Sequence, residues 1–190
     1  MVLKIISGGQ TGADIAGLRV GKLFDFETGG LAPRGYETLL GPKLELMKFG
    51  LGPSKGGYRQ RTLENIGSSD VTLVFAKNLS SPGTKLTING AERLKVPCFV
   101  FHDATAIGTE ALEEIHANQR FNVIKFLSTR ELIHETTVIN IAGNATQNSK
   151  NAFEFAFIQL WKILLHFTVP GMYNDEELLA LAKSYKDKYD

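Results

Sequence analysis

The sequence predicts an α/β fold with a mainly parallel central sheet covered on both faces by helices, and three observations carry that expectation. The β-branched run Val2-Leu3-Lys4-Ile5-Ile6 passes straight into the glycine-rich segment Ser7-Gly8-Gly9-Gln10-Thr11-Gly12-Ala13-Asp14. Short apolar runs then alternate with helical segments, a pattern of parallel strands joined by helical crossovers. Polar turns follow several of those runs, where parallel sheets expose the carboxyl ends of their strands.

Each element has its own warrant. Val2 to Ile6 reads as a buried strand, and Ala13 to Phe24 as a helix with Ile15, Leu18 and Leu23 on one apolar face. Gly17 and Gly21 lie one turn apart and let this helix press closely on a sheet. Thr11 and Asp14 have the spacing of a capping box, with Thr11 at the N-cap. Glu27 to Ala32 is a short strand. Pro33 to Gly57, with three prolines and six glycines, reads mostly as loop with one helical turn near Leu44 to Met47. Tyr58 to Ile66 is helical, Val71 to Ala76 a strong strand, Thr84 to Leu94 helical, and Pro97 to His102 a strand. Thr109 to Ala117 is helical. Arg120 to Leu132 is ambiguous, although Phe121, Ile124 and Leu127 favour helix. Thr137 to Ala142 is a strand. Ala152 to Phe167 is a helix apolar on nearly every side, hence buried, and too interrupted by Glu154, Gln159, Lys162 and His166 to span a membrane. Asn174 to Lys188 is a terminal helix, acidic at its start and basic near its end, as the helix dipole favours.

Composition fits a single domain over residues 1–190, with 174–190 as its terminal helix. The formal charge is +1, with no basic run interleaved with aromatics, so neither nucleic acid nor a membrane surface is an expected partner. The single cysteine, Cys98, excludes an internal disulfide framework and reads as a buried inert thiol. With no signal-peptide pattern at the start, the expected location is the cytoplasm.

The chemistry gathers at strand ends. A strand, a glycine-rich turn and a helix N-terminus together make an anion site, because free N–H groups and the helix dipole point the same way. Gly8, Gly9, Gln10, Thr11, Gly12 and Asp14 supply such a turn; a plain structural turn is the competing reading. The spacing is neither G-x-G-x-x-G nor a P-loop. Arg59 or Arg61 offers a bidentate clamp for phosphate, against the alternative of a solvated helix face. Ser80 to Thr87, including Gly83 and Thr84, presents hydroxyls and N–H groups at another helix start. Ile141 to Ser149, including Gly143 and Asn144, is a third polar loop. His102, His116, His134 and His166 are scattered without metal-ligand spacing, and no G-x-S-x-G elbow accompanies a triad. No catalytic or metal-ligating residue is therefore assigned. Asp14, Asp70 and Glu64 are the carboxylates expected near the cleft, Asp70 as a loop-orienting group.

Taken in order, Ser7 to Asp14, the Arg61-Thr62 pair, Ser69 to Phe75 and Gly83-Thr84-Lys85-Leu86-Thr87 resemble the molybdenum cofactor carrier family. That family is a circularly permuted branch of the Rossmann-like superfamily that includes the lysine-decarboxylase-like (LOG) proteins. The resemblance covers about Val2 to Phe167 and implies a Rossmann-like three-layer sandwich. The family's Gly-Pro-Arg near the last strand is Gly143-Asn144-Ala145 here, and the segment between Ala32 and Tyr58 departs from the usual pattern. Set beside the phosphoribohydrolases of the same superfamily, the glutamate of their glycine-rich motif falls on Thr87. Threonine cannot serve as a carboxylate acid or base, so the resemblance implies retained phosphate binding without that hydrolysis.

The resulting expectation is a binding or carrier protein for a phosphorylated, nucleotide-like small molecule, with molybdenum cofactor as the family-implied candidate. Gly8, Gly9, Thr11 and Gly12 would cradle a phosphate, Arg61 neutralise it, and Gly83 and Thr84 add hydrogen bonds. The alternatives are a nucleotide-processing enzyme acting on an N-glycosidic bond, or a nucleotide sensor. The apolar surface of Phe155, Ile158, Trp161, Leu165 and the leucines of 176–182 predicts a homodimer or homotetramer, unless the terminal helix covers the long one within a single chain.

Overall fold

In the computed structural model, which describes residues 2–104, 109–131, 136–168 and 174–186, the opening run forms β1 (Val2–Ser7) and the glycine turn leads into α1 (Ala13–Leu23). The chain continues through β2 (Glu27–Ala32), a small hairpin of β3 (Glu37–Thr38) and β4 (Gly41–Pro42), a 3-10 turn (Leu44–Phe49) and β5 (Leu51–Pro53). Then follow α2 (Tyr58–Gly67), β6 (Val71–Ala76), α3 (Pro82–Leu94), β7 (Cys98–His102), α4 (Thr109–Glu131), β8 (Thr136–Gly143), α5 (Ala152–Leu164) and α6 (Asp175–Lys186).

Six strands make one sheet in the order β5-β2-β1-β8-β6-β7, and each neighbouring pair is parallel. The chain moves outward from β1 through β2 to β5, crosses to β6 and moves outward again to β7. The late strand β8 returns between β1 and β6. The carboxyl ends of β1, β8 and β6 thus open together where the direction of winding reverses, the place where such sheets bind ligands.

Helices cover both faces. All six residues of β6 are buried, which requires apolar cover on each side. One layer pairs α2 with α3, and the other packs α1, α4 and α6 around α5. The close approach of α1 is a glycine effect: a Cβ at Gly17 would lie 2.7 Å from Ile141 of β8. The main core joins Leu3, Ile5, Leu73, Phe75, Ile139 and Ile141 of the sheet to Phe153, Phe157, Leu160 and Trp161 of α5.

Four details differ from the sequence reading. The expected loop 33–57 contributes a strand, β5, whose Pro53 is tolerated because the strand lies at the sheet edge. Thr109–Glu131 is one continuous helix; Leu132 lies outside the described residues. The N-cap of α1 is Gly12, not Thr11, at φ 78°, and a Cβ there would meet the Asn144 carbonyl oxygen at 2.4 Å. The terminal helix runs Asp175–Lys186, with 187–190 outside the described residues. Among the described residues no helix is long and apolar enough to cross a membrane.

Candidate functional site

The three polar turns meet at one sheet edge because Asn144 ties them together. Its carbonyl oxygen accepts from Ala13 N at 3.2 Å, and its side-chain Oδ1 accepts from Lys77 N at 3.0 Å and Asn78 N at 2.8 Å. Its Nδ2 donates to Thr84 Oγ1 at 3.1 Å and to Ser81 Oγ at 3.3 Å. Ser81 is the N-cap of α3 and Pro82 its first residue, a sequence-encoded helix start. One residue of the β8–α5 turn therefore ties the other two to it, the β1–α1 turn through its main-chain carbonyl and the β6–α3 turn through its side-chain amide.

Between them lies a cavity of about 270 Å³. Its polar wall includes Gln10, Asp14, Arg61, Ser81, Thr87 and Asn148, with Gly83 and Gly143 on the backbone side. Its apolar wall is Leu39, Tyr58, Leu86, Ala142 and Ala145. The volume sits just below the range of about 300–1,000 Å³ common for small-molecule sites.

Arg61 and Asp14 are the charged residues in that lining. The helical spacing of α2 places Arg61 on the inner face with Asn65, four residues on, whose amide pins Leu31 of β2 through both N–H and C=O. Arg61 is buried, whereas Arg59 is exposed. The guanidinium lies directly on the Gly8 backbone, so close that a Cβ at Gly8 would be 1.6 Å from Nη1. Its carboxylate partner, Asp14 Oδ2, stands at 3.5 Å, and its Nε has no hydrogen-bond partner among the described residues. That Nε is itself enclosed, so what the guanidinium can offer a further anion is its terminal nitrogens, of which Nη1 stands 3.5 Å from Asp14. Asp14 is held from the other side by Gln10 N at 3.1 Å. Burial pushes the Asp14 carboxyl above its ordinary value, against the opposing pull of Arg61 and of the Gln10 and Gly8 N–H groups.

The glycine turn is less open than its composition implies. The Gly9 N–H donates to Ser7 Oγ at 3.2 Å, and Gln10 N is taken by Asp14. Of the residues singled out by sequence, Gln10, Asp14, Arg61, Gly83 and Gly143 line the cavity. Gly8 lies beneath Arg61, Gly9 packs against Leu46 and Leu51, and Gly12 packs on the Asn144 backbone. Thr11 donates to Gln147 Oε1 at 2.9 Å. Thr84 and Asn144 are buried behind the wall. Leu86 comes from the motif Gly83-Thr84-Lys85-Leu86-Thr87, whereas Leu39 joins the lining from a segment with no motif of its own.

Other candidates resolve into structural roles. Asp70 is not near the cleft as the sequence suggests but at the opposite end of the strands, paired with Arg130 and accepting from Val138 N at 2.8 Å. Glu64 accepts from Ser54 at 2.6 Å and Gln60 at 2.8 Å, and these bonds hold its carboxyl below the usual range. Thr87 Oγ1 donates to Gly83 O at 3.0 Å. The ring Nε2 of His116 lies 3.0 Å from His102 O, and that of His102 lies 3.1 Å from Lys77 O; His134 falls outside the described residues. Burial raises the Cys98 thiol to about 11, consistent with an inert side chain. Among the described residues no group of three or more His, Cys, Asp or Glu is placed to hold a metal ion.

No curated protein matches the sequence. The fold is similar to the crystal structure of a protein from Syntrophus aciditrophicus SB titled "Putative molybdenum carrier protein", with a TM-score of 0.68 and 27% sequence identity. The match covers 86% of this chain and 95% of that one. Residues 5–163 match the model of the circularly permutated YpsA SLOG family, cpYpsA, and the chain belongs to that family.

Proposed function

We propose that the cavity binds a phosphorylated small molecule carrying a planar or apolar moiety, and that the protein carries this ligand without cleaving it. The observation that carries the reading is Arg61: buried, lining the cavity, incompletely paired, and held in place by the inner face of α2. The N-terminus of α3 supports it, because Gly83 also lines the cavity and a Cβ there would meet nothing within 4 Å. The apolar wall suits a ring. The volume suits one phosphate with one ring system and is small for a dinucleotide.

Molybdenum cofactor is the candidate cargo suggested by the structural neighbour's name and by the family resemblance. Its phosphorylated pterin matches the two walls. Among the described residues the lining contains no cysteine or histidine, so the cofactor would be held through its organic part. Carriage is favoured over cleavage because position 87 is threonine and Asp14 is engaged by Arg61 and Gln10 N. A homodimer or homotetramer is a separate proposal, read by light scattering at micromolar concentration.

Calorimetric titration with purified molybdenum cofactor and the common ribonucleoside 5′-monophosphates tests the reading. Arg61→Ala is expected to weaken binding by about 1.5–3 kcal/mol, the worth of a charge-assisted hydrogen bond, while Arg59→Ala leaves it unchanged. Chromatography of the incubated nucleotides is expected to show no free base. Equal affinity of wild type and Arg61→Ala would end the Arg61 role, and base release abolished by a cavity substitution would favour an N-glycosidic hydrolase.

A further inference from the structure

The hairpin between β2 and β5 contributes one side chain, Leu39, to the cavity lining. Its base is fixed: Tyr36 O accepts from Lys43 N at 3.0 Å, and Tyr36 Oη donates to Leu51 O at 3.3 Å. Its turn is closed by Thr38, whose Oγ1 donates to Gly41 O at 2.7 Å and accepts from Leu40 N at 3.1 Å. Its tip presents Leu39 and Leu40, which are 54% and 52% exposed. Leu39 nevertheless lines the cavity, together with Arg61 and Asp14.

One side chain sets this position. The Gln10 amide spans the hairpin strand, with Nε2 donating to Glu37 O at 3.4 Å and Oε1 accepting from Leu39 N at 3.1 Å. The same residue's backbone N–H is bonded by Asp14, which pairs with Arg61. Gln10 therefore joins the hairpin to the charged pair in two steps. Leu39, at the cavity lining and held there by a dedicated amide, is positioned to meet the apolar face of a ligand.

We propose that residues 37–42 form a ligand-selecting flap, with Leu39 as the specificity-determining contact for the ring of a phosphorylated ligand and Gln10 as the positioning residue that holds it over the cavity. The proposal rests on the phosphate reading of Arg61. It assigns the Gln10 amide to the flap and leaves phosphate to Arg61 and the start of α3. Discrimination then follows from the ring: the phosphate is held the same way whatever it carries, and only a ligand with a flat apolar face gains from Leu39 and Tyr58.

The test compares guanosine 5′-monophosphate, whose fused ring approaches a pterin in size, with ribose 5-phosphate, which keeps the phosphate and loses the ring. Leu39→Ala and Gln10→Ala are each expected to weaken guanosine 5′-monophosphate about tenfold and to leave ribose 5-phosphate within about twofold. Arg61→Ala is expected to weaken both. A destabilised fold would move both probes together, so the split separates positioning from mere structural support. If Leu39→Ala and Gln10→Ala move neither probe, or both alike, the flap is overturned while the Arg61 reading stands. If wild type binds neither probe, or Arg61→Ala binds them as wild type does, the phosphate reading fails and the flap fails with it.

Discussion

Asp14 is an acid placed where ionisation is costly. Desolvation outweighs the help of Arg61 at 3.5 Å and of the Gln10 and Gly8 N–H groups, so its folded pKa lies above the ordinary 3.8. The consequence for stability has a definite sign. Between the ordinary value and the raised one, the folded chain holds a proton that the unfolded chain has lost. Stability from this group is therefore complete below 3.8 and is lost as pH rises through the folded pKa. Asp14→Asn removes that titration. The stability of wild type relative to Asp14→Asn is expected to fall as pH rises from the usual carboxylate range toward neutrality, measured as the difference in urea midpoints. A difference that stays constant across that range, or grows in favour of wild type, would refute the sign. Glu113, whose carboxyl Arg120 and Lys162 lower despite burial, titrates oppositely but cancels in the difference, because both proteins carry it.

At the scale of elements, the site depends on how firmly three turns are joined. Asn144 alone bonds the starts of α1 and α3 and the turn after β6. Asn144→Ala strands the N–H groups of Lys77 and Asn78 and leaves Thr84 without that donor. It is expected to cost about 2–3 kcal/mol of stability by denaturant unfolding, a few net hydrogen bonds with partial rescue by water. Asn148→Ala, in the same loop but exposed, is expected to cost well under 1 kcal/mol (roughly the range for peripheral sites). Similar losses at both positions would mean that the loop, not the amide of Asn144, holds the turns. These bonds also mark what the sequence could reveal. The strands β1, β6, β7 and β8 were legible because each is a compact apolar run, and the grouping of the three turns followed from alternation alone. β5 was hidden because Leu51-Gly52-Pro53 has loop composition and acquires strand geometry only by pairing with β2. Arg61 was legible as the phosphate candidate through the Arg61-Thr62 pair, and what the structure adds is its burial on the face of α2 that carries Asn65 and Ile66, with Arg59 exposed. Leu39 was illegible as a site residue: nothing local says that a hairpin tip in a proline- and glycine-rich segment will be carried over the ends of distant strands.

At the scale of the whole molecule, the question is what covers α5. Its aromatic residues suggested a surface awaiting a second copy, yet α6 supplies cover within the chain. Leu178 and Ala182 are buried in the same cluster as Phe157 and Trp161, and Tyr185 stacks on Phe157 with ring centroids 6.1 Å apart. Polar ties hold α6 in place: Lys186 Nζ bonds Glu154 at 3.0 Å and Lys150 O at 2.7 Å, and Lys162 pairs with Asp175 at 2.9 Å. These charged contacts are partly exposed and contribute little each; burial of Leu178 contributes about 1.5–3 kcal/mol. Leu178→Asp replaces that burial with a carboxylate that has no place in an apolar cluster. It is expected to undock α6, shift Trp161 emission to longer wavelength, and raise the light-scattering mass at micromolar concentration as the bared face of α5 self-associates. No residue of α6 lines the cavity, so affinity for guanosine 5′-monophosphate is expected to persist in the monomeric fraction. Unchanged Trp161 emission would show that α6 is not the shield. An unchanged mass beside a red-shifted Trp161 would show that α5 tolerates exposure, and would leave the apolar surface without a role in association.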